Sequence, residues 1–222
     1  MTQTVELQYF FDPLCGWCYA SAPALEGLAA RFSGQLRMMP SGLFFGRRPV
    51  ASISDHAWRN DQKIQLMTGQ QFSESYHQNV LLAPSGIFTS APATLALQAL
   101  GELDAKLETA LLHSVQIARY VDGYDTAKED NVAKVAVKVA AEHGFELSVE
   151  GFGDRLRHDV ELRERTLERM ETSQARMEEL GIQGVPQLIA VINGMPTDLN
   201  GEILYHGPER LLAALEELTV AA

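Results

Sequence analysis

At 222 residues the chain is long enough for one large domain, or for a small domain carrying an inserted one. Hydrophobic residues make up 46% and charged residues 21%, the balance of a globular protein rather than a disordered or fibrous one. A formal net charge of -11 repels phosphate before any contact forms, which argues against a general nucleic-acid or anionic-membrane binder.

Met1-Thr-Gln-Thr carries no basic region and no continuous apolar run follows it, so no leader is read there. No segment reaches the roughly 18 uninterrupted apolar residues of a membrane span. A cytoplasmic setting is expected, in which thiols stay reduced and a stabilising disulfide explains little.

In chain order, VELQYFF (5–11) alternates as a strand, with Val5, Leu7, Tyr9 and Phe11 on one face. Asp12-Pro13 stops it. A helix is predicted from within the cysteine motif to about Phe32, bent at Pro23 because the ring blocks one backbone hydrogen bond. Ser33-Gly34 ends it, and residues 35–39 form a second strand, parallel to the first through the crossover.

Residues 54–176 read as mainly helical. Ser90 is placed to cap a helix that holds Pro92 in its first turn and runs through ATLALQALGELDAK. Residues 106–120 line up Leu107, Leu111, Val115 and Ala118. Residues 129–143 do the same with Val132, Val135, Ala136 and Val139, closed by Gly144. The run ELRERTLERMETSQARMEEL pairs opposite charges three and four apart and reads as a solvated helix face. Strand character returns at 187–192, followed by the turn Asn193-Gly194, with 202–205 as the hairpin partner. Gly207-Pro208 then opens an amphipathic helix through Leu211, Leu212, Leu215 and Leu218. The order is βαβ, a long helical insertion, then ββα.

Both cysteines lie in FDPLCGWCYA, directly after the first strand. A structural zinc site wants four ligands; there is no second C-x-x-C, and the six histidines are scattered singly. Only a thiolate attacks a disulfide, and a helix start favours one through unpaired N–H groups and the positive end of the dipole. Cys15 would sit at the exposed helix start as the nucleophile, with Cys18 about one turn in, partly covered, as the resolving thiol. Far along the chain, Gly184-Val185-Pro186-Gln187 precedes the late apolar run. In a redox domain of this layout Pro186 can be cis, turning the Val185 backbone toward the cysteines, where an extended peptide could pair with it.

The segments FDPLCGWCYA, ARYVDGYDTAKEDNVAKVAVKVAAEHGFE and ELGIQGVPQLIAVING resemble the DsbA family of thioredoxin-fold proteins, and its cytoplasmic protein-disulfide isomerase branch in particular. The resemblance covers nearly the whole chain. It implies an α/β thioredoxin-like fold (βαβ–ββα) with a large all-helical insertion, residues 1–52 and 177–222 forming the first part and 53–176 the second. It also implies Cys15 as nucleophile, Cys18 as resolving residue and Pro186 as the cis proline facing them. Two positions depart from the pattern. Many relatives carry a buried acid six residues before the first cysteine, where this chain has Tyr9; Glu6 points to the opposite strand face. Between the cysteines, Gly16-Trp17 stands where DsbA has Pro-His. Trp17 then supplies a substrate contact or a lid, or simply packs against the insertion.

The expected function is thiol–disulfide exchange, reducing or isomerising disulfides of proteins or small thiols through a mixed disulfide. Trp17, Val185 and Pro186 would hold the substrate, with glutathione or thioredoxin as electron donor. No bound cofactor, metal, nucleic acid or membrane partner is expected. Two alternatives use the same fold: a glutathione-dependent isomerase or transferase resembling the kappa class, which typically has serine at the first cysteine, and a non-catalytic cytoplasmic adaptor.

Overall fold

The computed structural model describes residues 4–32, 34–199 and 201–221. Met1–Gln3, where no leader is read, and Ser33, half of the expected helix stop, lie outside the described residues.

Strand β1 (Val5–Phe11) is the centre of the sheet. Leu7, Tyr9 and Phe11 bury one face completely, and Phe10 is equally buried on the other. A strand covered on both faces ends as a continuous apolar run rather than an alternating one. The expected single helix divides into α1 (Gly16–Ala20) and α2 (Ala22–Phe32), with the break at Ser21. Pro23 has no N–H to offer the Tyr19 carbonyl, and the Gln70 amide donates to it instead at 3.2 Å. Strand β2 (Leu36–Pro40) then runs parallel to β1, with Leu36 opposite Leu7 and Pro40 opposite Phe11.

The long middle section holds a two-residue ladder of β3 (Arg48–Pro49) and β4 (Ile87–Phe88), with α3 (Ser54–Thr68) and the short α4 (Glu74–Tyr76) between them. Helices α5 (Ala91–Gly101), α6 (Lys106–Tyr120), α7 (Glu129–Glu142), α8 (Val149–His158) and α9 (Val160–Leu180) follow. The chain returns through β5 (Gln187–Ile192), β6 (Met195–Asp198) and α10 (Pro208–Ala221). Strand β5 lies antiparallel to β1 and β6 antiparallel to β5, giving the order β2-β1-β5-β6.

Four details differ from the sequence reading. Ser90 occupies the cap position of α5 but makes no side-chain cap bond; its hydroxyl donates to Asp12 instead. Helix α5 ends at Gly101, short of Lys106, and a Cβ at 101 would collide with the Glu108 side chain. The charged run in α9 has an inward stripe of Leu162, Thr166, Met170 and Ser173, and Arg169 reaches from it to the Met38 carbonyl at 2.6 Å and Glu108 at 2.5 Å. The hairpin partner of β5 is Met195–Asp198, not 202–205. Asn193 and Gly194 have φ of 50° and 82°, so a two-residue turn sets Ile192 directly opposite Met195. Residues Gly201–Tyr205 form a 3-10 turn that buries Leu204.

The apolar interior falls into two clusters. One joins the sheet to α2, α5–α7 and α10; the other gathers Ile64, Phe72, Tyr76, Leu81, Phe88 and Tyr120. Cys15 and Cys18 belong to the first, while Leu14, Tyr19 and Ala20 belong to the second. Helix α1 therefore lies on the seam, and Trp17, Phe44 and Tyr205 pack against both sides.

Helices α2 and α10 meet at Gly27, where an added Cβ would strike the Pro208 ring. Gly27→Ala should lose about 1–3 kcal/mol of stability despite alanine's better helix propensity. Urea unfolding measures this; a stabilised variant would show that the two helices can separate freely.

Candidate active site

The loop before the cysteines is organised by the Asp12 carboxylate. Its Oδ1 accepts the Leu14 N–H at 2.9 Å, and its Oδ2 accepts the Phe44 N–H at 2.9 Å and the Ser90 hydroxyl at 3.0 Å. The Asp12 carbonyl accepts the Cys15 N–H at 3.1 Å. Burial pushes the Asp12 carboxyl above its ordinary range, while the three donors and Arg119 act against that. From the helical section, the Tyr120 hydroxyl donates to the Leu14 carbonyl at 2.7 Å.

Cys15 takes the N-cap position of α1 in extended backbone (φ -81°, ψ 118°), and both cysteines are free thiols. The expected exposed thiol is instead only 6% accessible. The physical reason is the chain around Pro186: the Val185 carbonyl lies 3.5 Å from Cys15 Sγ and accepts its S–H, and the Val185–Pro186 peptide is cis. Cys18 is wholly buried rather than partly covered. Burial pushes its thiol well above the usual value; its hydrogen bond with Cys15 and the charges of Cys15 and Asp12 push the same way, and a backbone bond from Asp12 opposes them.

Trp17 is half-buried, its ring 5.1 Å from that of Tyr205 and tilted by 51°. Val185 is half-buried beside a groove that includes Ser41, Leu43, Met177 and Ile182, and Pro186 is buried. The structure thus brings Cys15, Cys18, Val185 and Pro186 together at the seam, with Trp17 at its edge.

Tyr9 stands under the pair. Its hydroxyl is 2.7 Å from Ser21 Oγ, which donates to the Cys18 carbonyl at 2.9 Å, so Tyr9 is the donor to Ser21. Burial and the nearby Cys18 hold this phenol neutral, well above its ordinary value. Glu6 turns away and pairs with Arg37 at 3.1 Å.

Several residues near the thiols were not among those predicted. Tyr205 is pushed up by burial and by the charges of Cys18 and Cys15. Asp61 of α3 is 4% accessible; a Cβ built on Gly16 would come within 2.6 Å of its Oδ1, and the Tyr76 hydroxyl donates to its Oδ2 at 3.0 Å. Burial raises the Asp61 carboxyl to about 7, with Tyr76 and Arg119 pulling it down. Arg119 is buried among the rings of Phe88, Tyr76 and Tyr120 at 5.4, 5.5 and 5.9 Å, and its Nε and Nη2 have no hydrogen-bond partner among the described residues. Asp12 left a trace in the sequence, since an Asp-Pro step directly after a strand is a turn signal. Asp61 and Arg119 left none, being single charges on amphipathic helices.

Against known proteins, no family model matches the chain and no curated protein matches it in sequence. Among solved structures, the cytosolic disulfide reductase DsbM from Pseudomonas aeruginosa is 30% identical, with 98% of this chain and 100% of that one covered and a TM-score of 0.82. The same protein with GSH gives 31% identity, coverage of 96% and 98%, and a TM-score of 0.79. The chain belongs to the DsbA-like thioredoxin-fold oxidoreductases. A candidate protein disulfide isomerase from Nitrosomonas europaea, 21% identical over 96% of this chain and 97% of its own with a TM-score of 0.71, shares the fold. With its Cys15–Cys18 pair and this likeness to DsbM, the chain is a thiol–disulfide oxidoreductase.

Two predictions follow from the carboxylates beside the DsbA-like dithiol. Asp12→Ala leaves two N–H groups and a hydroxyl without their acceptor and should cost about 3 kcal/mol, read from urea unfolding. Asp61 has a folded-state value above its unfolded one, so the unfolded chain gives up this proton first. Its contribution is complete below 3.8 and lost as pH rises to about 7. Asp61→Asn should therefore gain in melting temperature over the wild type across that interval, and a constant difference between the two would refute the assignment.

Proposed function

We propose that this oxidoreductase works as a reductase or isomerase of disulfides, with Cys15 as nucleophile and Cys18 as resolving thiol. The observation that carries the reading is the asymmetry of the pair. Cys15 retains some solvent access and faces the Val185 carbonyl, whereas Cys18 is sealed and its thiol raised by burial. The Cys15 thiolate attacks one sulfur of a substrate disulfide, forming a mixed disulfide and expelling one substrate thiolate. Cys18 then loses its proton and attacks Cys15 Sγ, which closes the internal disulfide and frees the second substrate sulfur. An outside dithiol or two molecules of a monothiol restore the reduced pair.

Val185 and Pro186 flank the incoming disulfide, and the Val185 carbonyl, released when Cys15 reacts, is an acceptor for a substrate backbone N–H. Trp17, held by Tyr205, gives the substrate an apolar edge. Glutathione is the donor favoured here over thioredoxin, because DsbM is described both as a cytosolic disulfide reductase and in a structure with GSH. The same likeness supports a cytoplasmic setting; among the described residues no helix is long and apolar enough to cross a membrane.

At mildly acidic pH an alkylating reagent should modify Cys15 faster than Cys18, as followed by peptide mass spectrometry. Cys18→Ser should accumulate mixed disulfides with glutathione or protein substrates, and Cys15→Ser should lose disulfide reduction altogether. Full glutathione turnover on an electrophile by Cys18→Ser would instead place the protein with the glutathione transferases.

A further inference from the structure

Three phenols, Tyr9, Tyr120 and Tyr205, lie within electrostatic range of the thiols. Two have their hydroxyls committed: Tyr9 donates to Ser21 Oγ and Tyr120 to the Leu14 carbonyl, each at 2.7 Å. The hydroxyl of Tyr205 has no hydrogen-bond partner among the described residues and is not sealed from solvent. Tyr205 closes the 3-10 turn Gly201–Tyr205, which the buried Leu204 anchors, and is itself half-buried. Its ring lies 5.1 Å from that of Trp17, the residue before Cys18. It packs against both apolar clusters, one of which contains the two cysteines. Burial and the charges of Cys18 and Cys15 push this phenol above its ordinary value, so it stays neutral and keeps its proton for donation. Cys15 is the thiol with some access from outside. The uncommitted O–H therefore stands beside the sulfur at which an incoming group reacts.

We propose that Tyr205 is a further catalytic residue, its hydroxyl donating a hydrogen bond to the substrate sulfur as that sulfur leaves Cys15. The inference rests on the dithiol reading given above and deepens it. In the mixed disulfide, Cys18 gives up its proton and attacks Cys15 Sγ. The Cys15–Cys18 bond forms, the bond from Cys15 Sγ to the substrate sulfur breaks, and its electron pair goes to that sulfur. Negative charge thus develops on the departing sulfur in a water-poor site, beside a donor that is already in place. The proton lost by Cys18 reaches the departing thiolate through solvent and makes RSH, so charge and protons balance. Tyr205 keeps its own proton throughout.

The test compares Tyr205→Phe with the wild type on two disulfides, glutathione disulfide and the aryl disulfide of thionitrobenzoate. Phenylalanine keeps the ring against Trp17 and removes only the hydroxyl. Glutathione leaves with its charge held on one sulfur, whereas the aryl thiolate spreads its charge over the ring and leaves readily without help. Reduced protein is mixed with each disulfide, and release of the second thiol is followed by rapid quenching and mass spectrometry. Tyr205→Phe should slow that release about tenfold or more for glutathione, and about twofold or less for the aryl thiol. Equal slowing with both disulfides would make Tyr205 a packing residue, and no slowing with glutathione would make its hydroxyl idle; either result overturns the proposal. Peptide mapping of the trapped intermediate reads the nucleophile separately. Glutathione on Cys18 overturns the nucleophile assignment and the proposal with it, whereas glutathione on Cys15 with unselective or absent slowing overturns the proposal alone.

Discussion

The Asp12 carboxylate is the interaction on which the site depends. It ties together three segments: the turn after β1 through Leu14, the Phe44 loop after β2, and the cap position of α5 through Ser90. No apolar contact could do this, because two of the three groups are backbone N–H donors that would otherwise be buried without a partner. With those donors satisfied, the turn into α1 is fixed, and the Cys15 N–H is fixed with it through the Asp12 carbonyl. The Tyr120 hydroxyl on the Leu14 carbonyl adds a second tie to the helical section. The thiols are thus held from both sides of the seam rather than presented on a free helix end.

That placement changes how the two cysteines differ. In a simple helix-start picture, access separates them: one thiol is out in water and the other is one turn further in. Here both are shielded, and the distinction lies in degree of burial and in neighbours, with Val185 facing Cys15 and Tyr9, Ser21 and Asp12 surrounding Cys18. The Val185 carbonyl stands against the Cys15 sulfur, in the contact beside which we propose that substrate docks.

Much of this was legible in the sequence where a local rule applied. Strand β1, helices α6 and α7, the parallel β1–β2 pair and the terminal helix follow from apolar period and from Gly and Pro punctuation. The cysteine pair and the Val185-Pro186 step were visible as spaced motifs. What local rules could not supply was tertiary compensation. Ser90 looked like a helix cap because its hydroxyl has a local use, and the buried Asp12 outcompeted that use. The segment 202–205 looked like a strand because of its apolar residues, but the tight Asn193-Gly194 turn had already paired β5 with Met195–Asp198. Asp61 and Arg119 were hidden for the same reason: a charge on a helix reads as solvated until a partner cluster encloses it.

The missing room at Gly16 also bears on how such a protein can diverge. Dipeptides between paired cysteines are natural sites for adjusting a thioredoxin fold, since a change there touches both sulfurs and little else. In this chain position 16 also touches a helix contributed by the insertion, so any side chain there, including the proline of the DsbA dipeptide, meets Asp61. A side chain at position 16 therefore requires Asp61 and Ile64 to give way, so a foreign dipeptide grafted between these cysteines must be accompanied by a change in α3.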